Sequence, residues 1–411
     1  MKNFRGWLNK LRPGKKESTP SAEQPTMLKK PLDVTFDSLG ARSELDTRAD
    51  EYRDAARPKV QDCFVCRVTL PSQSPVEEKE VQTIAVLDTQ GRLIRELVRS
   101  QPHERLSTFA VSPNKYWVTY TCYVKRIEGE YAFPQIRMVS TDGRYHGELT
   151  RWDAQFQPCY LNPVFSPDGK LLVCQHALRG EWNPDLQLLR LVDTGQALAA
   201  LLEGIIVNPL HIGNHVPVFM PDSKRIVYFG NFDYADALEI CIFDPDYPKS
   251  HNFVGFFEGN RLTSGADGVW HRPRAIAIQP EWDQIFFIRG HMMPNEEISV
   301  IMQSDVPSEL VIKNFISISG KYSHIGGLQV SCDGLWLTFD ADRSIFIIQT
   351  NGTKLRKISP DGMRCGRPFF SPTGKRVAFL NEGNLSTCDL NGSSYTKLSN
   401  PAFTVEDFVW V

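Results

Sequence analysis

Several kinds of machinery are missing from this 411-residue chain. No Gly-x-Ser-x-Gly elbow occurs, which excludes a fused serine peptidase domain of the α/β-hydrolase kind. There is no P-loop and no Gly-x-Gly-x-x-Gly, so no nucleotide site is written in a motif. No motif calls for a cofactor. No run of 18 apolar residues exists, so no membrane-spanning helix is expected. The N-terminus is basic but lacks the apolar stretch of a secretory signal. A net charge of −2 gives no argument for nucleic acid. The nine cysteines are scattered and odd in number. Cys63 and Cys66 form the one C-x-x-C, but residues three apart on a strand face opposite ways, and no second pair completes a zinc site. Cys122, Cys174 and Cys241 sit in strand-like runs and read as buried small apolar residues. Reduced thiols and the missing export signal point to the cytoplasm.

What the chain does have is a recurring phrase. Phe165-Ser-Pro-Asp-Gly-Lys170 returns as Phe370-Ser-Pro-Thr-Gly-Lys375. Looser copies begin at Val111, Phe219, Ile278 and Val330. Ser opens a turn, Pro presets φ at its first central position, and Gly takes the left-handed position that closes a three-residue hairpin with a bulge. β-branched and bulky residues follow, as in Leu171-Leu-Val-Cys174 and Arg376-Val-Ala-Phe-Leu380. A second signal comes later in most units, at Asp142-Gly143, Asn351-Gly352 and Asn391-Gly392, and predicts two-residue turns. One unit therefore reads as four antiparallel strands.

The third residues of the six phrases are 113, 167, 221, 280, 332 and 372, a spacing of 40 to 59 residues. A four-stranded blade takes about 40 residues, so most units carry extra loop. The pattern predicts an all-β fold, a β-propeller. Strand-like runs at 64–70, 83–87 and 93–97 lack an opening strand, and 405–411 supplies one. Pairing the termini makes seven blades and removes both sheet edges; six blades with a loose N-terminal sheet is the alternative. The propeller is expected over residues 61–411, as a monomer.

Residues 1–60 read as an extension. Residues 13–32 have linker composition. Phe4, Trp7, Leu8 and Leu11 make one helical stripe. Six basic residues precede Glu17, so the rest of the chain carries −8 against a total of −2. Residues 1–16 are thus a candidate for peripheral contact with a membrane surface or for docking to a partner.

In a propeller the opening strands line a central channel, and the loops entering them crowd onto one face with the loops between second and third strands. Polar and aromatic residues gather on that loop-rich face. His215, His271 and His324 each precede an opening strand. Loops after second strands add His176, Arg179, Glu181 and Trp182, then Asn231, Asp233 and Asp236, then Arg289 and His291, then Asp340, Asp342 and Arg343. Trp182 and Trp270 are candidate partner anchors. Trp117, Trp336 and Trp410 lie in strands and are expected to wedge between blades. His215, His271 and His324 are also the candidate metal set. They stand six, nine and eight residues before the third position of their phrases. A three-residue offset is roughly 10 Å along a strand, which works against shared coordination.

The Ser-Pro-Asp-Gly-Lys units resemble the TolB-like, WD-like propeller repeats of bacterial proteins, over residues 105–399. That resemblance implies a rigid interaction platform. The chain is also similar in architecture to the oligogalacturonate lyase type of propeller, which implies channel-mouth histidines, here His215, His271 and His324, holding manganese. The leading expectation is a non-enzymatic module that binds a protein or peptide through the loop-rich face. The alternative is a metal-dependent lyase or hydrolase acting on an acidic sugar.

Overall fold

The computed structural model describes residues 62–71, 81–124, 133–150, 158–177, 185–193, 198–206, 216–230, 239–243, 252–253, 272–280, 284–290, 296–303, 310–316, 324–398 and 400–411. Among them every regular element is a strand. The first three are β1 (Cys63–Leu70), β2 (Val81–Asp88) and β3 (Leu93–Arg99). A second group is β4 (Glu104–Val111), β5 (Trp117–Val124), β6 (Phe133–Ser140) and β7 (His146–Glu148). The third is β8 (Cys159–Phe165), β9 (Leu171–Ala177), β10 (Asp185–Asp193) and β11 (Leu198–Ile206). The fourth is β12 (Val218–Phe219), β13 (Ile226–Gly230), β14 (Glu239–Phe243) and β15 (Asn252–Phe253). The fifth is β16 (Arg272–Ile278), β17 (Ile285–Gly290), β18 (Glu296–Gln303) and β19 (Leu310–Ile316). The sixth is β20 (Ile325–Val330), β21 (Trp336–Ala341), β22 (Ser344–Gln349) and β23 (Arg356–Lys357). The seventh is β24 (Cys365–Phe370), β25 (Arg376–Asn381), β26 (Asn384–Asp389) and β27 (Thr396–Leu398), and β28 (Thr404–Trp410) ends the series.

Each group is one four-stranded antiparallel sheet in chain order, and β28 joins the first sheet beside β1. The β28–β1 register sets Phe64 opposite Trp410 and Cys66 opposite Phe408. The second strands do not alternate as half-buried strands do. Leu172, Val173 and Cys174 are buried in succession, as are Trp117 to Cys122. Such strands have both faces covered, by the sheets on either side. Phe64, Ala85 and Leu87 of the first sheet pack with Ala378, Leu385 and Leu398 of the seventh. Val65, Ile84 and Val86 pack the other way, on Val118, Tyr120 and Cys122. Cys63 and Cys66 fall on these two opposite sides. Burial raises the Cys63 thiol to about 11 and the Cys66 thiol well above its ordinary value, which keeps both protonated. Cys122 and Cys174 are buried as expected; Cys241 lies in β14, its side chain outside the described residues.

Trp117 lies between the second and third sheets, with its Nε1 donating to Asp193 Oδ2 at 3.0 Å. Trp410 packs between the first and seventh, and Trp336 against the seventh. The wedging role expected of these three tryptophans therefore holds.

The turns are longer than expected by one or two residues. Ser166 N donates to Leu171 O, so four residues rather than three separate the paired strands, and Gly169 N returns to Ser166 O. The serine hydroxyl stabilises the longer loop by accepting from Leu171 N at 2.9 Å and donating to Asp168 Oδ1. Two of the later signals close three-residue loops instead of two, with Asp389 N donating to Ser393 O and Gln349 N to Thr353 O, and the one at Asp142-Gly143 closes a four-residue loop, with Ser140 N donating to Tyr145 O. True two-residue turns occur between second and third strands. Asp342 and Arg343 both have positive φ, as do Glu382 and Gly383.

Candidate functional site

The expected loop-rich site is only partly described. Arg179, Glu181, Trp182, His215, Asn231, Asp233, Asp236, Trp270, His271 and His291 lie outside the described residues. Arg289 belongs to β17, opposite Pro273 and Glu297, and its side chain also lies outside them. Five of the expected site residues remain: Asp342 and Arg343 form the two-residue turn after β21, and the other three stand each in its own setting. The His176 ring, in β9, stacks at a tilt on Tyr160 with centroids 5.0 Å apart. His324 is exposed just before β20, its N–H donating to Asp342 Oδ1 at 3.0 Å. Asp340 is half-buried in β21 and accepts the Arg367 backbone N–H of the next sheet at 3.3 Å. Among the described residues no three His, Cys, Asp or Glu side chains gather as a metal site.

Asp340 acts as a tie between sheets. The first strand of its sheet bulges between Gly326 and Gln329, and Gly327 lies there with φ of 55°. A side chain at Gly327 would meet both Asp340 Oδ1 and Pro368 of the seventh sheet. Burial raises the Asp340 carboxyl above its ordinary value, opposed by the Arg367 N–H and by the charges of His324 and Arg367. Corresponding ties recur. Thr121 Oγ1 accepts the Asn162 N–H of the third sheet at 3.2 Å, and Arg67 donates to Leu106 O of the second at 3.3 Å. Arg67 is also paired with Glu406 at 2.7 Å, and Arg367 with Asp407 at 2.6 Å. These polar groups therefore have structural work at the loop end.

The opposite end holds a feature that sequence reasoning missed. A recess of about 490 Å³ opens there, inside the usual span of roughly 300–1,000 Å³ for ligand pockets. Its walls are the closing residues of β4, β16, β20, β24 and β28, among them Val111, Ile278, Val330, Phe370 and Trp410. These read in sequence as core because each ends an apolar strand. All five are edge strands of their sheets, so they turn one unpaired backbone flank away from the ladder. Serine-phrase turns rim the recess, and neighbouring turns abut. Gly169 sits against Pro113, and Gly374 against Cys332. Among the described residues Lys115 is the one charged side chain in the lining, where Cys332 adds an exposed thiol. Lys115 holds φ of 60° at the position that Gly169, Gly334 and Gly374 occupy in other copies.

No protein-family model matches the chain, and no curated protein matches it in sequence. Solved structures do. The β-propeller domain of the Trilobed protease from Pyrococcus furiosus, described as having an open velcro topology, is 10% identical with a TM-score of 0.55, over 84% of this chain and 97% of that one. An oligogalacturonate lyase in complex with manganese is 12% identical with a TM-score of 0.50, over 78% and 94%. TolB from Acinetobacter baumannii is 15% identical with a TM-score of 0.44, over 88% and 85%. At such identities the likeness is one of fold: this chain is an all-β protein of β-propeller architecture, and TolB is among the propeller proteins it matches.

Proposed function

We propose that the chain is a non-enzymatic binding platform for a protein or peptide, built as a ring of seven blades over residues 61–411. Support for the ring comes from its inner strands. β4, β8, β12, β16, β20, β24 and β28 adjoin one another in that order, and β28 adjoins β4. On this reading β28 and β1 fasten the ends of the ring within one sheet. The observation that carries the binding role is the recess where five inner strands end. It offers apolar walls, unpaired backbone edges and a polar rim, the features that peptide recognition uses. The loop-rich face, with Arg179, Glu181, Trp182 and Trp270, is the second surface open to a partner. The platform works in the cytoplasm as a monomer, and residues 1–16 localise it at an anionic membrane surface.

The full chain, immobilised as bait in native lysate with metal assayed on the same preparation, tests this. A stoichiometric partner with no stoichiometric metal supports the platform. Stoichiometric manganese with turnover of a uronate-containing oligosaccharide would replace it with the lyase reading.

A further inference from the structure

The turn-end recess carries more than a general binding role, because its chemistry is lopsided. Its walls are Val, Ile, Leu and Phe side chains from five sheets. Its hydroxyls are already engaged: Ser112 accepts from Trp117 N, and Ser371 accepts from Arg376 N. Among the described residues of the lining, Lys115 is the one cation. The chain accepts backbone strain to keep a lysine there. A left-handed conformation is unfavourable for a non-glycine residue, and three sister turns avoid it with glycine. Ser223, the other non-glycine residue at this position among the described residues, has an evident use for its side chain, because its Oγ accepts the Asp168 N–H at 3.0 Å. Lys115 instead lines the recess.

Resting on the platform reading, we propose that the recess receives a loop of a protein partner that inserts one bulky apolar side chain, with an adjoining Asp or Glu paired to Lys115. The volume suits one large side chain with a little backbone. The mouth opens where the strands converge, so a knob enters end-on, and the flanking carboxylate remains at the rim with Lys115. The inner-strand edges offer hydrogen bonds to the backbone on either side of the knob.

A phage-displayed heptapeptide library panned on the full chain tests the proposal. One selected peptide is then synthesised with a fluorophore and titrated by anisotropy. Selected peptides should share Phe, Leu, Trp or Met beside Asp or Glu. Lys115→Glu should weaken binding roughly tenfold and shift selection toward Lys and Arg. Val330→Trp should fill the recess and abolish binding, and His324→Ala at the other end should leave it unchanged. A second measurement needs no substitution: bound peptide should protect the Cys332 thiol from N-ethylmaleimide. Peptides that bind Lys115→Glu as well as the parent, or leave Cys332 unprotected, overturn the recess proposal while the platform stands. A library that yields no binder overturns both.

Discussion

The two ends of this molecule solve the same problem, holding neighbouring strands and sheets together, with opposite economies of sequence. At the turn end the same serine does the same job repeatedly. Ser112, Ser166, Ser331 and Ser371 each accept from the backbone N–H five residues ahead. At the loop end of two of these units the work passes to the polar group that stands nine residues beyond the serine. It is Thr121 after Ser112 and Asp340 after Ser331, and each reaches the first strand of the following sheet. A turn imposes one local backbone geometry, so it selects one residue type. A tie between sheets needs only an acceptor at the right distance, so hydroxyl and carboxylate serve equally. Repetition in sequence therefore marks local demands and passes over long-range ones.

The comparison breaks most sharply at the bulges of the first strands. Gly327→Ala should destabilise by about 2–4 kcal/mol, because the new methyl meets Asp340 and Pro368 in a left-handed backbone. Gly366→Ala, one register position earlier in the next sheet, meets nothing within 4 Å and should stay within about 0.5 kcal/mol of the parent. Urea midpoints for the pair measure the difference. Equal midpoints would mean that the loop-end ties contribute no rigidity.

Asp340 sharpens it through pH. Burial raises its folded-state pKa, so the folded chain holds the proton more tightly than the unfolded chain, whose carboxyl titrates near 3.8. Stability from this group is therefore greatest in acid and falls as pH rises from about 3.8 through the folded value. Asp340→Asn keeps an oxygen for the Arg367 N–H and removes the charge. Its urea midpoint should meet the parent's in acid and exceed it at neutral pH. A parent curve parallel to the variant's across that range would show that the carboxylate is well solvated in the folded state. At the turn end, Ser331→Ala removes the acceptor for Trp336 N and should cost about 1 kcal/mol. Combined with Ser166→Ala the costs should add, since the two turns share no partner.

These cases also explain what could be read from sequence. The strands and their order were legible, because Ser-Pro-Asp-Gly punctuates each unit and β-branched runs follow it. The wedging of Trp117 and Trp410 was legible from their place in strands. Loop lengths came out one or two residues short, and at the serine turns this is because a hydroxyl that bridges five residues leaves no mark beyond the serine itself. The Asp342-Arg343 turn was read as a binding loop, because charged residues between strands look like surface chemistry even when both sit at positive φ. The recess was invisible for a different reason. Val111, Ile278 and Val330 come from different sheets, and each reads as the ordinary apolar end of a strand.

The smallest expected effect has the opposite sign and lies within the turn end. Lys115→Gly relieves the left-handed strain and should stabilise the fold by about 0.5–1 kcal/mol. Ser223→Gly relieves similar strain but gives up the hydrogen bond from Asp168 N, so its net change should be near zero. A turn whose residue serves only the fold should not resist improvement by its own repeat's consensus. If Lys115→Gly raises the thermal midpoint while binding of the apolar-acidic peptide falls, the strain at that one turn is held for recognition. If it raises the midpoint and binding is unaffected, Lys115 is a drifted copy of a glycine, and the turn end is scaffold throughout.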